Sequence, residues 1–185
     1  MQLLEIKYMT LCATALLFEI QICLASNTCE LNNLEACTAS NHERAEAALN
    51  SQYKKSMSSL SGHFKESLKS AETSWIEYRR DICGSLNSLD SLGCESSLAD
   101  QRTQELYLIE RKIGVGVAHG VVDFISKEFG SETGSSLLAR IVARQPQSES
   151  WNLYSENHCG MMRKLAGENI DYCKIRLILN NWEGF

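Results

Sequence analysis

The chain has 185 residues, 44% of them hydrophobic, with eight cysteines and a single proline. That length suits one domain or two small ones and excludes a large multidomain enzyme. Eighteen basic against 23 acidic residues give a formal charge of −5, which argues against a general nucleic-acid binder with its basic stripe.

Scarce proline and abundant Leu, Ala, Ser and Glu predict helices rather than strands. Residues 1–25 read as a secretory signal peptide. Lys7 lies in the n-region, Met9 to Phe18 are apolar, and Cys23-Leu24-Ala25 suits cleavage after Ala25. The apolar stretch is too short to span a bilayer, so no stable membrane span is expected and a periplasmic or secreted location is. Cleavage leaves Cys29, Cys37, Cys83, Cys94, Cys159 and Cys173. Six cysteines in an exported chain most simply form three disulfides. None of the six has the short spacing of a zinc knuckle, so neither a metal nor another cofactor is expected.

Ser40 with Glu43 forms a capping box, followed by Ala45, Leu49, Tyr53 and Met57 on one helical stripe. Ser61-Gly62 breaks that helix. Phe64, Leu68, Ala71, Trp75, Tyr78 and Ile82 then form a continuous apolar seam, the clearest helix of the chain. A Ser/Leu/Gly loop is expected from Gly84 to Gly93, bracketed by Cys83 and Cys94. A third helix carries Leu98, Arg102, Leu106, Ile109 and Ile113 along one face. Val117 to Ile125 and Leu137 to Val142 suggest two further helices, the second interrupted by Pro146. Trp151 to Leu165 and Ile170 to Trp182 complete the chain as two short helices. The fold class is therefore all-α: a small, disulfide-stapled helical bundle over 26–110 with a helical C-terminal extension over 111–185. The first of these carries 8 basic and 13 acidic residues, the second 9 and 8, so the acidity lies in the first.

Trp75, Tyr78 and Cys83 share the spacing Trp-x2-Tyr-x4-Cys with Trp151, Tyr154 and Cys159. A glycine, a second cysteine and an arginine-bearing helix follow each (Arg102, Arg176), the pattern of a degenerate duplication. Trp and Tyr three apart share a helix face, so each unit packs an aromatic pair into a core. Six cysteines allow fifteen pairings, and a Cys37–Cys83 bond across a helical hairpin is geometrically allowed. The second unit contains only Cys159 and Cys173, for which self-pairing is the simplest solution; by equivalence Cys83 pairs with Cys94, leaving Cys29 with Cys37. Each would close a loop of roughly ten residues, contributing about 2–3 kcal/mol.

From Cys29 to about Leu108 the chain resembles the lysozyme inhibitor LprI-like family of exported bacterial proteins. The resemblance rests on Cys29 and Cys37 ahead of a helix and on Ala48-Leu49-Asn50 with Tyr53. It continues through Leu68, Ala71-Glu72, Trp75, Tyr78-Arg79, Cys83, Cys94, Leu98 and Arg102-Thr103. Glu72 stands where glutamine is usual and Arg80 where aspartate is usual; the second unit has Ser155 where the first has Arg79. The resemblance implies a small helical envelope protein, some relatives of which inhibit lysozyme.

No catalytic constellation emerges. His42 and His63 are expected to be solvated, His119 packed, and His158 unable to act with a disulfide-bonded neighbour, Cys159. Glu105 and Glu110 lack a setting that would raise a carboxyl pKa. Arg79 and Arg102 are expected to pair with Asp81 or Glu105. The expected function is non-enzymatic protein binding, with a basic lysozyme-like hydrolase as partner and Leu86, Leu89, Asp90 and Leu92 as the contact loop. A second reading is an immunity or adaptor protein for a secreted toxin or envelope protein; a third is a hydrolase.

Overall fold

The computed structural model describes residues 33–114 and 148–180. The described residues from Ala39 onward belong to one compact unit. Five α-helices and no strand occur among the described residues: α1 (Leu34–Ser59), α2 (His63–Cys83), α3 (Ser88–Arg111), α4 (Glu149–Ala166) and α5 (Ile170–Asn180). The expected signal peptide, Cys29, His119, Pro146 and the helices foreseen over 117–142 lie outside those residues.

Two expected boundaries move. Ser40 and Glu43 do not start a helix, because α1 already runs from Leu34; the capping pattern is a short-range preference, and the helix-compatible residues ahead of it override it. The loop foreseen over 84–93 shrinks to four residues. Asn87 accepts a hydrogen bond from the Asp90 amide and starts α3 at Ser88, which places Leu89, Asp90 and Leu92 on a helix. The break after α1 needs its glycine: Gly62 has φ +52°, which a side chain would strain.

The seam of α2 is the spine of the core. Leu68, Ala71, Trp75, Tyr78 and Cys83 are buried, and α4 covers them. Tyr78 meets Trp151 at 5.2 Å and stacks on Tyr154 at 5.8 Å between ring centroids, so the two Trp-x2-Tyr units pack on each other. Burial pushes the Tyr78 phenol up to about 12. Ser74 and Asn157 add a hydrogen bond of 3.3 Å across the same pair of helices. Leu98, Leu106 and Ile109 of α3 complete this core, whereas Ile113 lies beyond the helix end and is exposed. α1 approaches the other helices less closely and is joined to them largely by side chains. The buried Ser56 hydroxyl donates to the Leu106 carbonyl at 2.7 Å, and the Gln52 amide donates to Glu110 at 2.7 Å.

Two disulfides tie helix to helix: Cys83–Cys94 joins α2 to α3, and Cys159–Cys173 joins α4 to α5. Cys37 is also disulfide-bonded, and its expected partner Cys29 lies outside the described residues.

Because Trp151 is 1% exposed and packs on Tyr78, Trp151→Ala is expected to cost about 3–5 kcal/mol. Urea denaturation checks this; a loss below about 1 kcal/mol would contradict the packing described.

Candidate functional site

Two polar assemblies stand out, one sealed and one open. The sealed one runs through the core. Arg102, whose side chain is fully buried, donates through Nε and Nη2 to Glu72 Oε2 at 2.9 and 2.8 Å. Its Nη1 lies 3.1 Å from His158 Nδ1 and 3.4 Å from the Tyr154 hydroxyl. A guanidinium only donates, so His158 Nδ1 accepts and the neutral ring carries its proton on Nε2. That atom is 3.1 Å from Glu105 Oε2 but poorly aimed at it, and makes no proper hydrogen bond. Glu105 is held instead by Arg176, which also donates to Glu168 at 2.9–3.0 Å, and by the Asn180 amide at 2.6 Å.

Burial pushes His158 down to about 4, with Arg102 and Arg176 acting the same way against Glu105. For Glu105, burial alone would raise the pKa. The neighbouring His158 and Arg176 outweigh it and bring the carboxyl down to about 2, and the well-made contact is the one to Arg176. The expected pairings of Arg79 and Arg102 are thus corrected. Arg102 takes Glu72, one helix away, and Arg79 takes Glu46 on α1. Glu105, expected to lack an apolar setting, lies buried in the core and pairs with Arg176. His42, expected to be solvated, is half-buried on α1 with Nε2 at 3.0 Å from Glu95 and 4.0 Å from Glu46.

The open assembly is a cleft of about 450 Å³ where α1 stands off from α2. Leu49 and Trp75 line its apolar side, and Glu46, Asn50, Tyr53, Glu72 and Arg79 supply polar groups. Arg79 lies 4.7 Å over the Trp75 ring while it pairs with Glu46. The Tyr53 phenol is shifted up, by partial burial first and by Glu72 second. The equivalent of Arg79 in the second Trp-x2-Tyr unit is Ser155, which is buried.

Six residues of the motif read from the sequence, Leu49, Asn50, Tyr53, Glu72, Trp75 and Arg79, therefore meet at one place. Residues 23–106 match the family model of lysozyme inhibitor LprI. No curated protein and no solved structure matches the chain. Of the LprI-type residues, Trp75 and Tyr78 are core, Arg79 borders the cleft, and Arg102 is the centre of the sealed network. Beyond the matched segment, Trp151, Tyr154 and Arg176 all enter the core. The structure does not bring Leu86, Leu89, Asp90 and Leu92 into the cleft's lining. Leu86 is 45% exposed, Asp90 is exposed, and Leu89 and Leu92 are half-buried at the Cys83–Cys94 corner. The sequence pattern gives no sign of Glu168, nor of the roles of His158 and Glu105, whose partners Arg102 and Arg176 lie 56 and 71 residues away.

Among the described residues no group of acids, histidines and cysteines is placed to hold a metal ion. The buried network acts on stability. The depressed His158 value means that the unfolded chain takes up a proton below about 6.5, while the native ring stays neutral down to about 4. Stability is therefore present above pH 6.5 and falls as pH drops through that window. Glu105 continues the loss from about 4.5 towards 2. Unfolding free energies from denaturation are expected to decline from pH 7 to pH 5, by up to about 1.4 kcal/mol per pH unit. The decline should flatten in His158→Gln, and an equally steep decline in that variant would refute the assignment.

Proposed function

We propose that this is an exported, non-enzymatic binding protein that blocks a lysozyme-like glycan hydrolase. The observation that carries this reading is the match of residues 23–106 to lysozyme inhibitor LprI. Three physical features support it. The residues over 26–110 carry a net −5, which favours a basic partner by electrostatic steering. Two disulfides link the described helices, as suits an oxidising compartment outside the cytoplasm. Residues 1–25 supply the export signal in this reading, and no described helix is long and apolar enough to cross a membrane.

The contact surface we propose is the Cys83–Cys94 corner, where Leu86 is exposed and the disulfide fixes the short turn. An apolar side chain held out on a braced turn loses little conformational freedom on docking. Asn87 holds Asp90 by side-chain and backbone hydrogen bonds, so the acidic group beside Leu86 is also held in place.

Purified protein in micromolar excess is expected to slow lysozyme-driven clearing of a bacterial cell suspension, with inhibition weakening as salt screens the charges. Leu86→Asp should reduce inhibition about tenfold or more, as loss of a buried apolar anchor does. No slowing by the wild-type protein overturns the inhibitory reading; undiminished inhibition by Leu86→Asp overturns the contact assignment alone.

A further inference from the structure

The cleft between α1 and α2 has hydrogen-bonding groups that the fold leaves unused. Asn50 spends its Nδ2 on the Glu46 carbonyl, at 2.9 Å, and its Oδ1 has no partner among the described residues. The Tyr53 hydroxyl likewise has none. Glu72 receives both Arg102 bonds on Oε2, leaving Oε1 open, and Glu46 engages Arg79 and His42 through Oε1, leaving Oε2.

The charges of the cleft are already matched. Arg79 pairs with Glu46, Lys69 with Glu66 at 2.8 Å, and Glu72 with Arg102 at 2.8 Å. A charged ligand would compete with one of these pairs, whereas an uncharged ligand rich in hydroxyl and amide groups would use only the spare atoms. Ile76, 47% exposed at the rim, and Leu49 add apolar surface. The volume of about 450 Å³ is that of a small-molecule site.

We propose that this cleft binds an uncharged sugar of glycan type, a pyranose bearing hydroxyl and N-acetyl groups. Hydroxyls both donate and accept, so they can satisfy Tyr53, Asn50 and the two free carboxylate oxygens together. The acetyl methyl would lie against the apolar rim. The site goes beyond the inhibitory reading and does not depend on it; together the two would hold an inhibitor on the polymer that its target cleaves.

The test is titration of the purified protein with the soluble trimer of N-acetylglucosamine, followed by calorimetry and by tryptophan fluorescence, since Trp75 lines the cleft. Saturable binding is expected, weakened about tenfold by Asn50→Ala and by Tyr53→Phe, the change for one lost hydrogen bond. Thr73→Trp, which fills the rim from an exposed position, should abolish it; unchanged thermal midpoints show that the variants fold. Absence of saturable binding by wild type, or binding indifferent to all three substitutions, overturns the proposal. So does loss of lysozyme inhibition in Asn50→Ala without any sugar binding by wild type, which would give the cleft to the protein partner.

Discussion

Moving a guanidinium out of water costs several kcal/mol unless carboxylates and acceptors already surround its destination. Arg102 and Arg176 both make that move, and each draws its partners from different elements. Arg102 needs Glu72 of α2 with Tyr154 and His158 of α4; Arg176 needs Glu105 of α3 and Glu168 of the turn before α5. The apolar seams could tolerate a helix sliding or rotating by part of a turn. The ion network does not tolerate it, because a slide would leave a buried charge alone. Hydrophobic burial drives the association, and the two arginines specify which association it is.

The seams themselves were legible. Leu68, Ala71, Trp75 and Tyr78 repeat with helical period and are buried as that period requires. Arg102 also gave a signal, since it stands in phase with Leu98, Leu106 and Ile109 on the apolar face of α3, where a charge must find a partner. What the pattern could not reveal was the partner. Glu72 lies 30 residues away and His158 lies 56 away, and such pairings arise only once helices cross. Local rules also competed with one another: the capping box at Ser40 yielded to the helix running through it from Leu34, while Asn87 succeeded in starting α3 inside the segment that its Ser, Leu and Gly residues had marked as a loop.

The cleft was half legible. Asn50, Tyr53, Glu72, Trp75 and Arg79 were all visible as a motif, but their convergence depends on α1 standing off from α2, a distance no spacing encodes. Glu72 connects the two assemblies. One oxygen anchors the buried Arg102 and the other is left to the cleft, so one carboxylate serves both the core and the open site. Sites supported by such an inner layer hold their geometry without help from a ligand.

The disulfides have a consequence for the chain as a covalent object. Cys83 pairs with Cys94 and Cys159 with Cys173, so every bridge available to Cys37 within the chain lies on its N-terminal side. No sulfur bond crosses from α2 and α3 to α4 and α5. A single cut between Gly114 and Ser148 would leave two polypeptides with no covalent link, held by the packed seam of α2 and α4, the Ser74–Asn157 hydrogen bond and the two arginines. In that sense the bundle is a heterodimer whose subunits share one backbone, and its oxidised cysteines protect each half without joining them.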